Sequence, residues 1–303
     1  MAALYRQFVS QAEIDAQYDV ERSVPDFTRY ARHYVEESRL TRHRLRCELD
    51  IPYGPTLAET LDIFPAAERH SPVFVFLHGG YWRMLSSKEF SCVATGLNAL
   101  GITTVVVNYA LAPRVSLDEI ARQCRAAVAW VLRRIDRHGG DPGRVVVGGH
   151  SAGAQLTAMC LQTPWREEYG LNEDPLVGAV LISGLYDLQP LRFSMMQPQI
   201  QLDDGVIRRN SPMFSVRRCP TPVLVSWGAD EPDEFRRQSD DFLAAWTAAG
   251  NRAKRMPQQG CNHFDAIYGF ENPKSVLCRW IGMAAGVRGV HLDDVRRGGE
   301  KRE

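Results

Sequence analysis

The chain has 303 residues, 45% of them hydrophobic and 24% charged, and its 36 Lys+Arg balance 36 Asp+Glu to a formal net charge of zero. This is an ordinary globular composition, long enough to bury a substantial core unaided, and it excludes a charge-driven nucleic-acid or membrane-surface binder. Seven cysteines, odd in number, widely spaced and without a Cys-x-x-Cys, speak against a disulfide framework or structural zinc and for a reduced, cytoplasmic setting. The N-terminal stretch has no basic start followed by a long apolar run, so it does not read as a signal peptide. No segment is long and apolar enough to span a bilayer.

Residues 1–50 are polar and charge-rich, with several short potentially helical pieces, and are expected to form an arm or cap on the main body. Beyond them, short β-rich runs alternate with helical patterns. Strands are expected at 61–64, 73–77, 103–107, 145–147, 177–182 and 222–225, and helices near 87–100, 117–136, 152–162 and 234–249. The run Val73-Phe74-Val75-Phe76-Leu77 is continuously apolar, as suits a strand buried on both faces. Ser116 with Glu119 three residues on predicts a capping box. A last helix is expected from Asn272-Pro273 to about Ala285, and a disordered tail over 286–303. The alternation predicts one α/β catalytic domain over 51–285, with a mostly parallel central sheet covered by helices on both faces. Such sheets place their sites at the carboxyl ends of the strands. Residues 187–215 break the rhythm and are expected to be an insertion beside the substrate pocket.

Gly149-His150-Ser151-Ala152-Gly153 stands between a predicted strand and a predicted helix, the context in which G-x-S-x-G forms a nucleophile elbow. The serine occupies a strained turn, and the two glycines remove side chains that would crowd it. Ser151 is therefore the expected nucleophile. His78-Gly79-Gly80-Tyr81-Trp82 follows the 73–77 strand, and its glycines allow close backbone approach. The N–H groups of Gly80, Tyr81 and Ala152 are the expected oxyanion donors, while His78 is read as a structural residue holding the loop.

The base is expected late in the chain, and His263, in the turn-rich Gly260-Cys261-Asn262-His263-Phe264-Asp265, fits. His33, His43 and His70 come too early, His138 lies in a polar loop, His150 is inside the elbow and His291 is in the tail. The acid belongs to the loop Gly228-Ala229-Asp230-Glu231-Pro232, where it must accept from His263 Nδ1. Glu231 lies three residues past Gly228, an offset common for this acid; Asp230 is the shorter, more usual residue type, and both remain candidates. Asp233 and Glu234 suit the start of the next helix.

Together, HGGYW, GHSAG, EFRRQS (residues 234–239), NHFD (262–265), YGPTLAETLDIF and NYALAP make the chain resemble the arylformamidase, or kynurenine formamidase, branch of the α/β-hydrolase superfamily, which is related to hormone-sensitive-lipase-type esterases. The resemblance runs from about residue 18 to 280. It implies an α/β-hydrolase fold and a triad of Ser151, Glu231 and His263, with Gly80 and Tyr81 in the oxyanion hole. It also implies hydrolysis of an aryl formamide such as N-formylkynurenine, in tryptophan catabolism; because the branch also holds esterases, a carboxylesterase acting on short-chain esters is the alternative. A hydrolase-like binding module without catalysis is a third reading, disfavoured by the intact motifs. The chemistry calls for no metal or organic cofactor, and the partner is a small-molecule amide or ester. A shallow acyl pocket closed by Trp82 or Tyr81 is expected, with the aryl group against 187–215. Oligomeric state is left open, a homodimer included.

Overall fold

The computed structural model describes residues 3–290. Ten helices are described: α1 Gln11–Tyr18, α2 Phe27–Arg44, α3 Ala94–Ala99, α4 Leu117–Arg134, α5 Ala152–Leu161, α6 Trp165–Tyr169, α7 Gln197–Ile200, α8 Asp204–Asn210, α9 Asp233–Ala248 and α10 Val276–Ala284. The eight strands are β1 Glu48–Pro52, β2 Thr60–Phe64, β3 Ser71–Leu77, β4 Thr103–Val107, β5 Gly140–His150, β6 Gly178–Ile182, β7 Val223–Gly228 and β8 Ala253–Gln258. They form one sheet in the order β1-β2-β4-β3-β5-β6-β7-β8. From β4 to β8 every neighbouring pair is parallel, and β2 runs antiparallel to both β1 and β4. This is the mostly parallel, helix-covered sheet expected from the alternating pattern, and it is the α/β-hydrolase fold that the resemblance implies.

The interior strands are apolar because they are covered on both faces: every residue of β3, β4, β6 and β7 is buried. On one side α4 packs with α5, which lies on β5; α3 and α10 pack together elsewhere, against β4 and β6 respectively. Five of the seven cysteines are buried and all seven are free thiols, packing as small apolar groups.

Several expectations are refined. The 87–100 segment is a 3₁₀ turn over Ser87–Val93 followed by α3. Ser116 caps α4 by accepting from Glu119 N, but the Glu119 carboxylate turns to Arg122 and Gln123, so that box is half made. A complete capping box closes on Ser86 and Glu89 instead. The final helix starts at Val276, capped by Ser275, because Pro273 falls in the turn before it. Strand β1 straddles residue 50, where the arm was expected to end. Most of the expected tail, His291 included, lies outside the described residues. Its first part is described: Val287 N donates to Gly282 O at 2.7 Å, and Arg144 donates to the carbonyls of Ala285 and Gly286, both at 2.8 Å.

Candidate active site

The site lies at the carboxyl ends of β3, β5, β7 and β8, where the sheet's loops converge. After β5 the chain turns at Ser151 with φ 56° and ψ −122°, a conformation L residues rarely adopt, and passes straight into α5. Ser151 N donates to Ile182 O at 2.8 Å, and Ser151 O opens the helix by accepting from Ala154 N at 3.0 Å. The elbow glycines are required, for a reason somewhat different from crowding of the serine. A Cβ at Gly149 would stand 2.2 Å from Gly153 O, and one at Gly153 would stand 1.9 Å from Leu77 O. The glycines let the turn close on its own backbone and on β3.

The loop after β3 holds three successive left-handed residues, Gly80 at φ 105°, Tyr81 at 48° and Trp82 at 56°. Gly80 O accepts from both Arg83 N and Met84 N at 3.1 Å, which curls the loop. A Cβ on Gly80 would meet Met84 O at 2.3 Å, so only glycine fits there. Among the described residues the N–H groups of Gly80, Tyr81 and Ala152 donate to no protein acceptor. His78 Nδ1 donates to Gly79 O at 2.7 Å, and its ring stacks 4.1 Å from Tyr109. Burial pushes the His78 imidazole down to about 4, opposed by that hydrogen bond, so the ring is a neutral spacer at neutral pH.

His263 is buried, and its Nδ1 lies 2.7 Å from Glu231 Oε2. With Nδ1–H donating to that carboxylate, Nε2 is left as an acceptor. The other Glu231 oxygen accepts from Ser183 Oγ at 2.5 Å and Gly228 N at 2.6 Å. Asp230, the other candidate acid, faces solvent, its N–H donating to Cys261 O. Asp233 and Glu234 lie in the first turn of α9. Ser151 and His263 border one cavity, although no hydrogen bond joins their side chains among the described residues. Pairs of this kind commonly tighten only around substrate.

The loop bearing His263 is braced from three sides. Asn262 Oδ1 accepts from Phe264 N at 2.8 Å, and Asp265 Oδ1 accepts from Asn262 N at 2.7 Å, a self-capped turn. His150 Nε2 donates to His263 O at 2.8 Å; burial, and then the neighbouring His263, hold His150 well below the usual histidine range. From α2, Tyr34 OH donates to Phe264 O at 2.5 Å and Tyr30 OH accepts from Asn262 Nδ2 at 2.7 Å.

The cavity over Ser151 has a volume of about 370 Å³. Its walls come mainly from the N-terminal segment (Val20, Phe27, Tyr34) and the loop after β3; Phe90 and Phe264 add aromatic surface. From the 187–215 segment, only Met195 and Met196 reach it. Tyr81 borders the cavity, whereas Trp82 is buried behind it, donating Nε1–H to Gln155 Oε1 at 3.0 Å. Sequence reading did not find Ser183, Tyr34 or the aromatic wall. Ser183 follows β6, so the strand-end rule could have flagged it; nothing in the polar pattern of residues 19–35 marked them as a pocket wall. Among the described residues no cluster of His, Cys, Asp or Glu could hold a metal ion, and no helix is long and apolar enough to cross a membrane.

Comparison with known proteins agrees with this architecture. A family profile for the α/β hydrolase fold matches residues 74–220. A kynurenine formamidase of Danio rerio is 30% identical over 86% of this chain and 91% of its own. Esterase LipQ of Mycobacterium tuberculosis is 30% identical over 66% of this chain and 53% of its own. A solved structure from Silicibacter sp., provisionally named a thioesterase, superposes with a TM-score of 0.81 at 28% identity, covering 89% of this chain and 98% of that one.

Proposed function

The chain belongs to the arylformamidase, or kynurenine formamidase, branch of the α/β hydrolases, and on that premise we propose that this serine hydrolase cleaves aryl formamides such as N-formylkynurenine through Ser151, His263 and Glu231. The observation that carries the reading is the cavity over Ser151, which an aromatic and apolar wall suits to an aryl leaving group. Its volume of about 370 Å³ falls in the range of small-ligand pockets.

In this mechanism His263 Nε2 takes the Ser151 proton as Oγ attacks the formyl carbon. Glu231 holds the tautomer and stabilises the imidazolium. The oxyanion of the tetrahedral intermediate is received by the N–H groups of Gly80, Tyr81 and Ala152. Collapse breaks the C–N bond while His263 delivers its proton to the departing arylamine, a step that matters more for an amide than for an ester. Water then adds to the formyl-enzyme, giving its proton to His263; formate leaves and Ser151 is reprotonated.

The similarity to an esterase favours a second reading, a carboxylesterase acting on short-chain esters. Measuring kcat/KM for N-formylkynurenine and for p-nitrophenyl acetate separates the two. The formamidase reading expects efficient release of formate from N-formylkynurenine. Strong ester turnover with no formamide cleavage would overturn it in favour of the esterase.

A further inference from the structure

The cavity wall contains charged side chains, and the protein satisfies most of them. Asp19 is paired with Arg22 at 3.2 Å, and Glu89 accepts from Ser86 N and Oγ, both at 2.8 Å. Arg83 differs. Among the described residues its guanidinium makes no ion pair or hydrogen bond, and its Nε is buried without a partner. A buried donor left unmade is costly, so an acceptor brought to this guanidinium by a ligand would be favoured.

The backbone at Arg83 is held in place. It lies two residues past Tyr81, in the loop curled onto Gly80 O, and the preceding Trp82 is held by Gln155 and by Ala112 N donating to Trp82 O at 2.8 Å. The guanidinium fork matches the planar pair of oxygens of a carboxylate and can bind it bidentately. The remaining unpaired charge of the wall is Glu21, which is exposed.

We propose that Arg83 binds a carboxylate carried on the leaving-group side of the substrate, so that the enzyme selects anionic aryl amides or esters over neutral ones. The inference rests on the hydrolase reading of the site and adds the residue that recognises the charge of its substrate, whether amide or ester. It separates a metabolite hydrolase from a general scavenger of neutral esters, since an uncharged substrate would leave Arg83 unpaired in the complex.

The test uses the full-length enzyme and two matched pairs: formanilide with its ring-carboxylated counterpart, and phenyl acetate with its ring-carboxylated counterpart. In each pair that turns over, the carboxylate member should have the higher kcat/KM, and the preference should shrink as ionic strength rises. In R83Q the preference should fall roughly 10- to 100-fold, mainly through KM, with R83K between. Thermal melting confirms that each variant is folded. Should R83Q fail to fold, the R83K result and the salt dependence of the unaltered enzyme decide. No preference in the unaltered enzyme, a preference indifferent to salt, or a preference retained in R83Q overturns the proposal. If only the acetates turn over, the formamidase reading fails while Arg83 is still judged on the acetate pair. If none of the four turns over, both fall.

Discussion

Ser151 at φ 56° stores backbone strain, in a turn that closes so tightly at Gly149 and Gly153 that a Cβ on either would clash with backbone. Strain at such positions is of the order of 1–3 kcal/mol. Ser151→Ala keeps the Cβ, so it should abolish turnover and leave the melting temperature nearly unchanged; a variant that still turns over substrate would refute the nucleophile. Ser151→Gly should abolish turnover too and melt higher, by about 1 kcal/mol in stability, because relief of strain exceeds glycine's entropic cost. The acid is a sharper case. Four carboxylates crowd residues 230–234, and sequence alone leaves two candidates. The difference is one of direction: Glu231 points inward to His263, Ser183 and Gly228 N, while Asp230 points to solvent. Glu231→Gln should lower kcat about 10³-fold or more, as expected when the tautomer and imidazolium lose their anion, and Asp230→Asn should stay near the unaltered rate. Steady-state kinetics of the pair decides, and the reverse order of effects would move the acid to Asp230.

The elements that sequence reading found and those it missed differ by their place in the sheet. β3, β4, β6 and β7 are fully buried and therefore apolar, so their signal is strong. β1 and β8 were not anticipated, and both are edges. β8 reads Ala-Lys-Arg-Met-Pro-Gln, with Arg255 paired to Asp240 and lying 4.5 Å over the Trp227 ring. Charge and proline are what an edge strand carries to avoid further pairing, and they erase the pattern by which strands are recognised. The same holds for α2: its polar face is exposed, but Tyr30 and Tyr34 turn inward and their hydroxyls reach the His263 loop. Helical spacing gives such tyrosines as core; only the fold reveals that they brace the loop that carries His263. Tyr34→Phe would leave the Phe264 carbonyl without its donor, costing about 1–2 kcal/mol in chemical denaturation. It should also lower kcat, since the loop carrying His263 loses a tether. Unchanged stability and unchanged kcat together would show that α2 merely covers the site.

On the scale of the whole molecule, strand alternation made the sheet legible, and the sheet places the turns after β3, β5, β7 and β8 at one edge of the fold. The cavity itself was less legible, because its wall is contributed by residues 19–35, distant in sequence and polar in composition, more than by the 187–215 segment that looked like an insertion. His78 and His150 are buried completely enough to keep both imidazoles neutral, and this gives the fold a pH signature. In the unfolded chain His78 titrates near its ordinary 6.5, whereas in the folded protein it does so only at about 4. Between these values the unfolded chain holds a proton that the native state refuses, so stability falls as pH drops from about 6.5 to about 4. The full shift corresponds to about 3 kcal/mol for His78, and His150, depressed for the same first reason of burial, acts in the same direction. Most carboxylates titrate below this upper range, so the first part of the acid loss reports on histidines. Denaturant unfolding across this range should therefore show a progressive loss of stability on acidification. His78→Gln cannot take up the proton, so its slope should be shallower than that of the unaltered protein over the same range. Equal slopes in the two proteins would mean that His78 accepts its proton without unfolding, and that the core around Tyr109 and Phe90 is open to water.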